Sequence, residues 1–319
     1  MTVAVEGAAG SAGVPSGGPG PPIWLGGRFR LDERVTAADG ESLWMASLWK
    51  ATDELLRRPV AVHLLPRGIP VPAHVVEAVQ AAARVSDPRL ATIYDTDSCI
   101  EGPYIVSEWT PGTHLEDLVL SGLPSPALAA AMIADAADAL AVAHQAGRPH
   151  LCLRPRSLRW DAGSGLKISG LGIDAALSGT HAADPAAADT MALARMLYAL
   201  LTGCWPGDEP TALPAAPRHK GLVYTPRQVR AGVPGVLDAI TCDALQLQPP
   251  TAPRAVLTPA GLAMALRLVQ RPSYSSFRPG EPTGGTPALA QDTMSRRQAR
   301  HARTRAGVRH RTTLVRPAA

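Results

Sequence analysis

Aromatic residues are scarce in this chain of 319 residues: Phe, Trp and Tyr together make up 4%, with two phenylalanines among them. Leu, Val and Ala must therefore fill most of any core. Cysteine is sparse as well. Cys99, Cys152, Cys204 and Cys242 lie far apart and form no CxxC pair and no metal-ligand spacing with a histidine. They read as buried thiols in a reducing cytosol, which sets aside a disulfide framework and a zinc site. The N-terminus has no basic stretch followed by an apolar one. Gly7 to Pro22 is instead rich in Gly, Pro, Ala and Ser and reads as a disordered leader, so no secretion signal is expected. Long uninterrupted apolar runs are missing too. The longest, around Leu128 to Ala143, is broken by Asp135 and Asp138, and no bilayer span is expected.

A chain of 33.3 kDa with 46% hydrophobic and 18% charged residues can bury one large core or two modest lobes. Its net charge of +4 conceals an uneven distribution. From Arg271 onward there are ten arginines against Glu281 and Asp292, which leaves that segment at +8 and residues 1–270 at −4. An acidic body carries a basic tail.

Between Phe29 and Trp109 short β-rich runs recur: Phe29 to Val35, Ser47 to Thr52, Pro59 to Leu65, Ala91 to Thr96 and Pro103 to Trp109. Alternation such as Val60, Val62, Leu64 predicts half-buried antiparallel strands, and one helical stretch, His74 to Val85, interrupts them. From Ser125 onward helices dominate. Ser125 can N-cap, Pro126 suits the first helical position, and Leu128, Met132, Ile133, Ala136, Leu140 and Ala143 recur at helical spacing before Gly147. A hairpin is expected from Ser157 to Ser169 around Asp161 to Gly165. Further helices are expected at Asp189 to Thr202, Gly235 to Gln246 and Pro259 to Leu268, and disorder beyond Gln270. The expected organisation is a leader at 1–24, a strand-rich lobe at 25–109, a helical lobe at 110–270 and an arginine-rich tail at 271–319.

This succession resembles the protein-kinase fold, an α+β bilobal architecture with a small antiparallel-sheet N-lobe and a helical C-lobe. Several strings resemble the bacterial serine/threonine kinase family. Gly26 to Leu31, Ala51-Thr52-Asp53 and Arg58 to Val62 look like its first three strands. Ala81 to Pro88 looks like the end of its N-lobe helix, and Pro103 to Glu108 like the strand leading to the hinge. Ala143-His144 to Gly147 followed by His150-Leu-Cys-Leu-Arg-Pro155 resembles the catalytic-loop segment, and Asp189 to Gly203 the helix that anchors it. The resemblance makes His150, Pro155 and Asp189 structural residues.

Kinase chemistry needs a glycine loop over the phosphates, a strand lysine paired with a helix glutamate, a base aspartate, and an asparagine and an aspartate for the metal ions. In this chain the loop, Thr36 to Trp44, keeps one glycine and carries Asp39 and Glu41. His63 stands for the lysine and Ala78 for the glutamate, with Glu77 one place off. Cys152 stands for the base, Arg154 for the loop lysine, Ser157 for the asparagine and Gly170 for the aspartate of the DFG motif. Asp161 and Asp174 are the nearest spare carboxylates, both in places where solvated carboxylates are ordinary. The expectation is therefore a pseudokinase, a scaffold that is not an enzyme and takes no cofactor and no metal. An active or unconventional ATP-binding serine/threonine kinase is one alternative, and a nucleic-acid-binding protein working through the tail is a second. The tail carries no interleaved aromatics beyond Tyr274 and Phe277, so nucleic acid is not the expected partner.

Within the kinase-like proteins the chain resembles the intracellular pseudokinase region of actinobacterial MviN/MurJ-type proteins, through Leu48-Trp49-Lys50-Ala51, Tyr198 to Leu201, the short segment between Gly172 and Asp189, and the arginine-rich tail. That resemblance implies a role in cell-wall synthesis signalling and two protein partners, a forkhead-associated-domain protein that reads phosphothreonine and an active serine/threonine kinase. The candidate phosphosites are Thr283, Thr286, Thr293, Thr304, Thr312 and Thr313. Arg296, Arg297, Arg300, Arg303, Arg305, Arg309, Arg311 and Arg316 form a run with no acidic residue that could meet an anionic membrane surface. The expected place is the cytoplasm, at or near the inner membrane surface.

Overall fold

The computed structural model describes residues 23–35, 46–68, 71–247 and 258–268. The chain divides into two units, residues 1–83 with 91–109, and residues 84–90 with 110–319.

The first unit is built on a six-stranded antiparallel sheet. In chain order its strands are β1 (Trp24–Leu25), β2 (Phe29–Val35), β3 (Ser47–Asp53), β4 (Arg58–Leu64), β5 (Ile93–Cys99) and β6 (Gly102–Glu108), arranged β1-β2-β3-β4-β6-β5. Alternation sends Leu25, Phe29, Leu31, Ala51, Val60, Val62, Tyr104 and Val106 into one core, where Phe29 and Tyr104 meet edge to face at 6.1 Å. The turn between β3 and β4 is held by Asp53. Its fully buried carboxylate receives the Arg28 guanidinium bidentately, at 2.9 and 2.7 Å, and the backbone N–H groups of Leu55 and Leu56. These donors hold the Asp53 carboxyl below the usual carboxylate range against the opposing effect of burial. Helix α1 (Ala73–Ala82) buries Val75, Val79 and Ala82 and ends three residues before the expected Val85.

The second unit is mainly helical. Its regular elements are β7 (Thr113–His114), α2 (Leu115–Ser121), α3 (Pro126–Gln145), β8 (Leu158–Asp161), β9 (Gly165–Ile168), α4 (Asp174–Ser178), α5 (Pro185–Thr202), β10 (Arg218–His219), β11 (Leu222–Val223), α6 (Pro226–Val229), α7 (Gly235–Ala244) and α8 (Pro259–Arg267). Helix α3 starts as its sequence dictates: the Ser125 hydroxyl accepts from the Leu128 N–H at 3.2 Å and Pro126 fills the first turn. Its alanine-rich faces let α5 and α8 approach, and Ala129 to Ala134 are all buried. By length and composition α3 is also the one described helix apolar enough to cross a membrane, despite Asp135 and Asp138, but two thirds of it (67%) is buried against its neighbours.

Helix α5 begins at Pro185, four residues before the expected start, because Asp184 caps it through the Ala187 N–H at 3.0 Å. It stops at Gly203 in the left-handed region, φ 81°. The short segment after Gly172 thus holds α4 and the first turn of α5.

Candidate functional site in the helical unit

Asp189 organises the site from α5. Its carboxylate is 1% exposed and accepts three hydrogen bonds: from the His150 N–H at 2.8 Å, the Leu151 N–H at 2.7 Å and the His144 ring Nε2–H at 2.7 Å. Two of those donors belong to the loop, which is bent enough that Leu151 adopts φ 61°, a left-handed conformation rare for a γ-branched side chain. His150 is fully buried and donates from Nε2 to the Ser169 carbonyl at 2.9 Å, which ties the loop to the end of β9. Pro155 opens a 3-10 turn to Ser157.

The candidate positions expected to do chemistry fall around this frame. Cys152 is half-buried, and its Sγ lies 3.2 Å from the Ser178 hydroxyl at the end of α4. The Arg154 N–H donates to Ser157 Oγ at 3.2 Å, so the hydroxyl at the asparagine position is engaged in the turn. Asp161 is consumed locally: its Oδ2 accepts from the N–H groups of Gly163 and Ser164 and from the Ser164 hydroxyl, which hold the carboxyl below its ordinary range.

Asp174 behaves differently from the solvated carboxylate expected there. Gly170 sits at φ 90°, and its carbonyl accepts from the Ile173 and Asp174 N–H groups, both at 3.0 Å. That turn brings the Asp174 side chain back over the Gly170 α-carbon, where a Cβ on residue 170 would overlap the carboxylate. Burial pushes the Asp174 carboxyl up to about 6, moderated by the positive fields of His150 and Arg154. The two positions the sequence marks as lost ligands are thus unlike each other. At 157 a hydroxyl serves the turn, and at 170 the room is filled by a carboxylate from four residues on.

On the first unit, His63 lies on β4 between Leu48 of β3 and Ile105 of β6. Its Nδ1 has no solvent exposure and no hydrogen-bond partner among the described residues, and burial lowers the ring to about 4. It is neutral at pH 7. Ala78 is half-buried on α1, and Glu77 points to solvent beside it. The glycine-loop segment Thr36 to Trp44, the six tail threonines and the eight tail arginines lie outside the described residues.

An antiparallel-sheet N-lobe followed by a helical C-lobe with an aspartate-anchored loop defines a protein-kinase-like domain of α+β fold. The particulars come from the relatives. The chain is similar to the serine/threonine-protein kinase PknB of Mycobacterium leprae, 28% identical over 238 residues, which is 64% of this chain and 38% of that protein. It is similar also to PrkC of Bacillus subtilis, 27% identical over 221 residues. The PknI kinase domain of Mycobacterium tuberculosis has the same fold, with a TM-score of 0.54 at 18% identity over 76% of this chain and 96% of that one. No family model matches the chain. The chain spans about four tenths of the length of the curated relatives it matches, 38% for PknB.

The domain is therefore related to bacterial serine/threonine protein kinases. The expectation that it is not an enzyme is corrected by these same relatives, which are named as kinases and point to a kinase enzyme. The physical reason is that the loop frame around Asp189 is intact although individual side chains on it are substituted, and a carboxylate stands over Gly170.

Magnesium and a nucleotide are what this fold implies. Among the described residues no group of three or more His, Cys, Asp or Glu side chains could cage a metal ion. A magnesium site does not require such a cage, since one carboxylate with phosphate oxygens and water suffices. Asp174 is the carboxylate beside Gly170, and it lies in the positive fields of His150 and Arg154.

Proposed function

We propose that this kinase-like domain works in serine/threonine phosphorylation signalling mainly as a regulatory docking module, with phosphoryl transfer reduced rather than absent. The observation that carries the reading is the contrast inside one loop: Asp189 anchors it through two backbone N–H groups, yet the side chain presented at the base position is the thiol of Cys152. A positioned acid or base supplies about 10²–10⁴-fold in rate, or ~3–5 kcal/mol. His63, neutral where the family places lysine, lowers transfer further.

In this reading the partners are a forkhead-associated-domain protein and an active serine/threonine kinase that phosphorylates the tail threonines 283, 286, 293, 304, 312 and 313. An added phosphate brings about −1.5 to −2 charges to an arginine-rich segment and suits a phosphothreonine-reading module. A role in cell-wall synthesis signalling, at the cytoplasmic membrane surface, belongs to the same proposal and draws its support from the resemblance to MviN/MurJ-type regions. The relatives' names favour a second reading, in which transfer itself is the main function. Titrating a purified forkhead-associated domain into the chain before and after threonine phosphorylation, with labelled phosphate transfer measured on the same preparation, separates the two. Phosphorylation-dependent binding with slow transfer supports docking. Transfer at ordinary kinase rates with no such binding overturns it.

A further inference from the structure

We propose that the chain seats its own residues 269–278 in the groove between α3 and α8, with Tyr274 and Phe277 as the side chains that fill it. Ala141 and Val142 of α3 and Ala260, Met264 and Leu268 of α8 line the groove, each set lying on one helix face. Their small members leave about 630 Å³ between the helices, a size that suits apolar groups. The larger two, Met264 and Leu268, are 68% and 84% exposed, so this apolar face is uncovered among the described residues. Charges on the rim answer one another. Asp138 meets Arg267 and lies 3.6 Å from Arg89, and Asp135 lies 3.9 Å from Arg267. The groove therefore selects apolar side chains rather than charge of either sign.

Position in the chain names the occupant. Leu268 lines the groove and is the last described residue, and the chain continues from it. Tyr274 and Phe277 are the only aromatic residues beyond it. The α8 wall from Ala260 to Leu268 is about 12 Å long, and the stretch from Leu268 to Tyr274 reaches at most about 20 Å, so the aromatic pair can return to any point along it. Pro272 helps the chain leave the helix and turn. A segment tethered this closely has an effective concentration of about millimolar, which a separate partner would have to match.

Seating of this segment does not depend on the docking reading, whose phosphosites begin further along, at Thr283. The test uses the full chain with isotope-labelled methionine methyl groups, observed by nuclear magnetic resonance, with Met264 assigned through Met264→Leu and a soluble gadolinium chelate as the probe of exposure. In the native chain the Met264 methyl is expected to be protected from the chelate and shifted upfield by the aromatic rings. Both effects should be lost in Tyr274→Ser with Phe277→Ser, while the other methionine signals stay in place and show that the fold is kept. Tyr274→Leu with Phe277→Leu, which keeps apolar bulk without rings, should lose the shift and retain protection. Protection that falls on dilution assigns the face to a second copy and overturns the proposal. A Met264 methyl open to the chelate in the native chain leaves the face to a separate partner, and one protected equally with and without the two aromatic side chains is covered by something else; either result overturns it as well.

Discussion

His63 and His114 are both lowered to about 4 by loss of solvent, one on the sheet of the first unit and one at the start of α2 in the second. His114 is the better defined. Its Nδ1–H donates to the Arg156 carbonyl at 2.7 Å and its Nε2 accepts from Arg159 at 2.7 Å, so a second proton would face a guanidinium. Because the unfolded chain binds these protons near pH 6.5 and the folded chain only near 4, stability is full above about pH 6.5 and is lost as pH falls towards about 4. For half-buried rings the loss should be about 1–3 kcal/mol each. Denaturant unfolding from pH 7.5 to 4.5 should show it, and His114→Gln should flatten the curve. A curve unchanged by that substitution would show that the ring is protonated at little cost.

Asp174 works in the opposite sense. Its folded value of about 6 lies above that of an unfolded carboxyl, so its contribution is present below about pH 4 and is lost as pH rises through about 6. Asp174→Asn should therefore stabilise the chain at pH 7 by up to about 2 kcal/mol, discounted for a half-buried group, and leave it unchanged at pH 4. Equal stability of the two proteins at pH 7 would remove the burial argument. A more stable Asp174→Asn at pH 7 would mean that the native carboxylate is a cost to folding there.

At the scale of elements, helix α5 carries two aspartates with different work. Asp184 caps it and Asp189 anchors the loop. Asp184→Ala should cost about 1 kcal/mol. Asp189→Ala, which leaves buried N–H donors unpaired, should cost about 3–5 kcal/mol in the same unfolding measurement. Similar costs for both would mean that the loop is held by something else.

The anchor at Asp189 was legible in the sequence, because a helix led by aspartate after a catalytic-loop-like string is a local pattern. The strands were legible from period-two alternation such as Val60, Val62 and Leu64, and α3 from its Ser125-Pro126 start. Helix α2 was not, since His114 precedes it without a side-chain capping bond. The start of α5 lies four residues before Asp189, because Asp184-Pro185 supplies the cap and the first turn. Asp174 reads in sequence as an ordinary solvated carboxylate. Its neighbourhood with residue 170 arises from a left-handed glycine followed by a closed turn, and a side chain's return over a backbone atom leaves no periodic trace in sequence.

At the scale of the whole molecule, charge is the dominant asymmetry. Residues from Arg271 onward carry +8 against −4 for the rest. Each arginine near an anionic leaflet contributes about 1 kcal/mol, within a screening length of about 8 Å at physiological salt. If the run Arg296 to Arg316 meets a membrane as proposed, binding to phosphatidylglycerol vesicles should fall steeply with added salt and disappear when residues 296–319 are removed. Binding that survives either change would place the contact elsewhere.

The bonds that Asp189 makes also set a clock. The amides of His150 and Leu151 belong to a loop, where exchange with deuterated solvent is ordinarily fast, but their hydrogens point into a buried carboxylate on α5. They can exchange only when loop and α5 part, so their exchange should be as slow as that of the amides inside α5. The loop and the helix would then open as one cooperative unit, and a loop amide would report the stability of the helical core.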